Sequence, residues 1–288
     1  MAKLGVITDG ISRDFDHALG VMKSEGLDYA ELQFLWDKEV GDLTASEVDR
    51  AKDLLDKHEA KVSCISRHNF VGMLVGETNA TSEGYIRHMD GLRRCIEMAH
   101  TLDCSLVRIM SFRREMILFG EGGADHWVAA TGAWEKLIEL LQQPVELAQK
   151  EGITLVLETG NNAMIPSGYL GGKLIREVNN PHLRILWDPG NCLYASEPTY
   201  PDSYEGLTCD AIGHIHMKDC FVHMPQAKVT FTEFGKGQMA DHFTPTAKAL
   251  ERDGYEGIIS LESVYRPANG SFEDGFRASV ELFKRTFG

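Results

Sequence analysis

Glu158, Asp188, the pair His214 and His216, and Glu262 each close an apolar run in the second half of the 288-residue chain. The runs read ITLVLE, LRILWD, IGHIHMKD and GIISLE. A carboxylate, a carboxylate, an imidazole and a carboxylate make a donor set suited to Mn²⁺, Mg²⁺, Co²⁺ or Zn²⁺ rather than to a thiolate-loving metal. One polar residue at a strand end often just caps the next turn, so a single Glu there says little. Four in succession say more. Three carboxylates converging on one mouth repel one another unless a cation sits between them, and burying even one unpaired carboxylate is costly. The pattern implies a metal and, at strand ends, a catalytic centre.

The elements that would carry these residues follow a regular rhythm. Eight short runs rich in apolar and β-branched residues recur along the chain: LGVIT, YAELQF, KVSCIS, SLVRIM, ITLVLE, LRILWD, IGHIHM and GIISLE. Between them lie stretches with helical spacing, among them DFDHALGVMKSEG, SEVDRAKDLLDKHEA, GYIRHMDGLRRCIEMAHTL and WEKLIELLQQPVELAQKEG. Thr44 and Glu47 form a capping-box pattern, and Gly26 and Gly152 stand where helices should stop. Near-continuous apolar strands alternating with helices predict a parallel sheet covered by helices. Eight units in a chain of domain size predict closure into a single α/β (β/α)8 TIM barrel spanning residues 1–288, with its active site at the carboxyl ends of the strands. No strand leads into a GxGxxG turn, which argues against a dinucleotide fold. Two connections exceed a turn, from Ser111 to about Thr131 with its EGGADH stretch, and from about Lys218 to Pro245; both are expected to act as lids or binding walls.

Composition narrows the function classes. A formal net charge of −14 repels phosphate backbones, so neither nucleic acid nor an anionic membrane is expected as the main partner. No run is long or apolar enough to span a bilayer. MAKLGVITDG enters a strand-like segment without a signal-peptide pattern, which predicts a cytoplasmic location. The six cysteines show no CxxC pair or disulfide spacing; Cys192 and Cys220, although they follow site residues, are expected to be free core thiols.

With LVLET, WDPGN, HIHMKD and ISLES in this order, the whole chain resembles the xylose isomerase-like barrels. These include sugar isomerases and epimerases, inosose dehydratases and endonuclease IV-type repair enzymes. In the epimerase-like branches one divalent ion, manganese first, is held by Glu, Asp, His and Glu from the last four strands. The resemblance places those ligands at Glu158, Asp188, His216 and Glu262, leaving His214 as a core histidine or a partner of the ligands. It also implies that Glu158 and Glu262 take and return a proton beside a carbonyl, giving an enediolate. Relatives commonly form homo-oligomers. Ketohexose 3-epimerases tend to carry His three residues after the Asp and Arg six after the metal His, where this chain has Asn191 and Val222.

The expected activity is therefore metal-dependent isomerisation or epimerisation of a small carbohydrate: a sugar, keto sugar or sugar acid. Its alternative is a lyase using the same enolate on a keto-inositol or keto-glycoside. An abasic-site endonuclease needs a three-zinc ligand series and a basic groove, neither of which is legible here. His68, Arg113, Asn191 and Lys218 are the substrate-binding candidates. Arg114 could join them, Glu31 is expected to pair with a cation inside the barrel, and Trp36 and Phe112 either wall the pocket or pack the core.

Overall fold

The computed structural model describes residues 2–114 and 132–288. Strands β1 (Lys3–Ile7), β2 (Tyr29–Leu32), β3 (Lys61–Ile65), β4 (Leu106–Met110), β5 (Thr154–Glu158), β6 (Leu183–Trp187), β7 (Ile212–Met217) and β8 (Ile258–Leu261) form a closed barrel. Each strand pairs in parallel with the next, and β8 returns to β1 through Lys3 opposite Ile258. Around it lie α1 (Phe15–Ser24), α2 (Ala45–Lys57), α3 (Glu83–Thr101), α4 (Ala133–Glu151), α5 (Gly168–Val178), α6 (Ala240–Arg252) and α7 (Phe272–Phe287). After β6 come several short helical turns of three to five residues, among them Pro189–Cys192 and Tyr204–Leu207. The fold is a (β/α)8 TIM barrel.

Local chemistry sets the helix ends as expected. Thr44 accepts from the Glu47 amide while the Glu47 carboxylate accepts from the Thr44 amide, and Gly152 closes α4 at φ 69°. Among the described residues the buried apolar side chains form two clusters. The large one lies between barrel and helices; the small one, inside the barrel, is Cys64, Val156 and Leu186 with Leu106 against it. A strand repeats its face every two residues. Two positions beyond each member of that plug stand Ser66, Glu158, Asp188 and Arg108, so an apolar floor carries a polar layer facing the barrel mouth.

Two expectations change. YAELQF is not one strand: β2 stops at Leu32, and Phe34–Leu35 turns back on Lys38–Glu39 through Trp36 and Asp37, both at positive φ (49° and 65°). Such a two-residue turn matches the natural strand twist, which is why the chain reverses there. The long connection after β7 is largely ordered structure, a hairpin of Asp219–His223 with Lys228–Thr232, and α6 begins within the expected span. Residues 115–131, including the EGGADH stretch, lie outside the described residues.

Candidate functional site

Glu158 is the last residue of β5, Asp188 and Glu262 stand one position beyond β6 and β8, and His216 lies near the end of β7. Glu158, Asp188 and His216 each offer a ligand atom, all within 4.8 Å of one another. Glu262 joins through His216: the imidazole Nδ1 is 3.8 Å from Glu262 Oε2 and 3.8 Å from Glu158 Oε1. That nitrogen is buried and has no hydrogen-bond partner among the described residues. A separation of 3.8 Å is too long for a hydrogen bond, yet it falls within the ~3.0–4.2 Å that separates two ligands whose bonds to one ion are about 2.1 Å. The residues therefore fit a divalent cation.

The charges agree. Four carboxylates, Glu31, Glu158, Asp188 and Glu262, face two permanent cations, Arg108 and Lys218. Burial pushes the Asp188 carboxyl up to about 7, with Glu262 and Glu158 pushing the same way against the Lys218 ammonium and His216. Burial should strip His216 of a proton, yet Glu31 and Glu158 hold its imidazole well above the usual range. Both shifts mark a layer short of positive charge, a condition that a divalent ion would meet. Glu158 differs: although burial opposes it, Arg108 and then His216 hold its carboxyl at about 2.

The substrate-binding candidates divide into two groups. Asn191 and Lys218 enter the cluster. The Lys218 ammonium donates to Asp188 Oδ2 and Glu262 Oε2, each at 2.6 Å, and to Asn191 Oδ1 at 3.3 Å. Asn191 Nδ2 donates to Glu158 Oε1 at 3.3 Å. Gly190 makes room for this, since a Cβ there would lie 2.7 Å from Lys218 Cε. His68 and Arg113 stay at the rim. His68 Nδ1 is 2.7 Å from Glu39 and its Nε2 is 2.9 Å from Gln33. Arg113 is exposed and borders a cavity of about 240 Å³ with Met110, Phe112, Gly160 and Asn191. Phe112 also stacks on Phe70 at 5.0 Å, whereas Trp36 packs edge-on against Phe15 at 6.1 Å. Arg114 is exposed, its amide donating to Asn162.

Glu31 does pair inside the barrel, but with two imidazoles: its oxygens lie 2.7 Å from His214 Nε2 and 2.7 Å from His216 Nε2. His214 is thus a buried histidine bonded to Glu31 and Ser260, linked to His216 through the Glu31 carboxylate. Arg108 is the residue that sequence reasoning missed. It is buried in β4, donates to Glu158 Oε2 at 2.9 Å, and anchors its other nitrogens on the Ser66 and Arg67 carbonyls. An Arg in the middle of SLVRIM was the available signal, because a guanidinium in an apolar strand must meet an anion.

The xylose isomerase-like TIM barrel model matches residues 19–286. No curated protein matches the sequence. Among solved structures, 3-keto-D-glucoside 4-epimerase from E. coli superposes with a TM-score of 0.71 at 16% identity, covering 99% of this chain and 100% of that one. The IOLI protein with a bound zinc atom reaches 0.74 at 15% identity, covering 99% and 98%. The probable 3-DHS dehydratase AsbF from Bacillus anthracis reaches 0.74 at 14% identity, covering 99% and 99%. At these identities the likeness speaks for the fold.

Proposed function

Since the chain belongs to the xylose isomerase-like TIM barrel family, we propose that it is a divalent-metal-dependent isomerase or epimerase of a small sugar, keto sugar or sugar acid. The observation that carries this reading is the buried Nδ1 of His216, without a hydrogen-bond partner among the described residues, which faces Glu158 and Glu262 at 3.8 Å each with Asp188 beside them. Glu158, Asp188, His216 and Glu262 would hold the ion, manganese first. When bound, the ion would stabilise negative charge developing on vicinal substrate oxygens. The zinc atom in the IOLI structure supports a divalent metal in this fold.

Glu158 and Glu262 take and return the proton on the carbon beside the carbonyl, from opposite sides of the site. Glu262 is the more open, its side chain 20% exposed against 7% for Glu158. Lys218, already donating to Glu262, can offer its ammonium to a substrate oxygen, and Asn191 can bind a hydroxyl. His68 and Arg113 would bind the distal end of the substrate at the rim. Proton return to the neighbouring carbon isomerises, and return to the opposite face epimerises. Loss of a β-hydroxyl instead makes the enzyme a lyase, a second reading favoured by the likeness to a dehydratase.

The test is a panel of keto sugars, sugar phosphates, inososes and hydroxy-keto acids incubated with Mn²⁺ in deuterated water. Product of unchanged composition carrying solvent deuterium beside the carbonyl is the expected result, and product with one water fewer selects the lyase. Glu158→Gln and Glu262→Gln should each lower turnover by about 10²-fold or more through loss of general base catalysis. Near-normal turnover in both variants overturns the proton-transfer assignment.

A further inference from the structure

We propose that Glu31 is a positioning residue for metal binding, holding the His216 ring in the one tautomer and orientation that turn its bare Nδ1 toward Glu158, Asp188 and Glu262. The inference rests on the metal site proposed above and adds to it a residue from β2, a strand that does not pair with β7.

Glu31 is wholly buried, with no solvent to share its lone pairs. Its neighbours are all donors: His216 Nε2 at 2.7 Å from Oε1, His214 Nε2 at 2.7 Å from Oε2, and the Ser66 hydroxyl on Oε1. An ionised carboxylate only accepts, so each imidazole carries a proton on Nε2, and Nδ1 is the nitrogen that an ion would take in place of a proton. For His216 that nitrogen is the buried atom between Glu158 and Glu262, without a hydrogen-bond partner among the described residues. The rings of His214 and His216 stand at 82° with centroids 5.6 Å apart, so the two histidines bracket the carboxylate edge-on. His214, held also by Ser260 Oγ at 3.1 Å, fixes the second oxygen and stops the carboxylate from rotating away from His216. A carboxylate behind a metal-binding histidine sets the ring and makes the opposite nitrogen more basic.

The same three residues could themselves surround an ion, since their ligand atoms also lie within 4.8 Å of one another. The 2.7 Å separations decide against it, because adjacent ligands on one ion stand about 3 Å apart or more.

The experiment titrates chelator-treated full-length protein with Mn²⁺ and Zn²⁺ by calorimetry, and records histidine ¹⁵N spectra of the diamagnetic zinc form. Wild type should bind one ion with His216 protonated on Nε2. Glu31→Gln should weaken binding about 10- to 100-fold and disturb that tautomer, and Glu31→Asp, which keeps the charge but shortens the reach, should recover part of the affinity. The wild-type spectrum tests the proposal even if a variant does not fold. A proton on Nδ1 of His216 overturns it, as does wild-type affinity in Glu31→Gln. A second ion lost in His214→Ala also overturns it, by making Glu31 a ligand. If His216→Ala binds metal normally, the metal-site reading itself fails.

Discussion

Cys192 and Cys220 follow closely on Asp188 and Lys218 of the polar cluster, and nucleophilic chemistry would need their thiolates. Burial pushes Cys192 up to about 12 and Cys220 up to about 11, so both remain thiols at neutral pH. Cys192→Ser and Cys220→Ser are expected to keep metal binding and turnover within a few-fold, which a kinetic comparison checks. Loss of turnover with fold and metal intact would assign a thiol to the chemistry. Glu39 makes a different residue-level prediction. Burial alone would raise its carboxyl, but hydrogen bonds from the His68 side chain and amide, with Arg67, bring it from 4.5 to about 2. A depressed folded value means that the stabilisation is complete above about 4.5 and is lost as pH falls toward about 2. Melting temperature should therefore fall more steeply over that window in wild type than in Glu39→Gln; parallel acid limbs would show that the contact contributes nothing.

At the scale of elements, α4 contains Pro144, which has no amide hydrogen to give to the carbonyl one turn back, at Leu140. The buried Tyr85 hydroxyl of α3 donates to that carbonyl at 2.8 Å, so the proline's defect becomes a tie between two helices. Tyr85→Phe should cost about 1–3 kcal/mol by leaving a buried carbonyl unsatisfied, measurable by denaturant unfolding, with little loss of packing volume. A change below ~0.5 kcal/mol would mean that water satisfies the carbonyl instead. The connection after β7 is built comparably around one side chain. Asp219 accepts from the amides of Cys220, Gly235, Gly237 and Met239 at 2.7–3.1 Å. At Gly237 a Cβ would lie 2.2 Å from that carboxylate, so only glycine lets the loop close on it. Lys218 and Asp219 thus divide the work of adjacent positions: one faces the carboxylates of the mouth, the other organises the wall beside it.

For the whole molecule, the polar layer carries an excess of negative charge that a divalent cation would offset. Mn²⁺ held about 100-fold above its Kd should stabilise the native state by roughly 2.7 kcal/mol, seen as a rise in melting temperature that His216→Ala abolishes. An equal rise in that variant would mean that the ion acts elsewhere. Among the described residues no helix is long and apolar enough to cross a membrane.

The barrel and the acids at its strand ends were legible in the chain because strand period, apolar runs and terminal carboxylates are local properties: ITLVLE, LRILWD and GIISLE place their acids at or one step beyond a strand end whatever surrounds them. Pairings across the barrel were not legible. That Glu31 meets His214 and His216, or that Arg108 meets Glu158, depends on which strands closure makes neighbours and on the stagger between them. His68 and Lys218 looked alike in sequence, as cations near strand ends. Only the tertiary structure separated them, because the hairpin at Trp36 and Asp37 brings Glu39 to His68, while the space at Gly190 lets Lys218 reach Asp188 and Glu262.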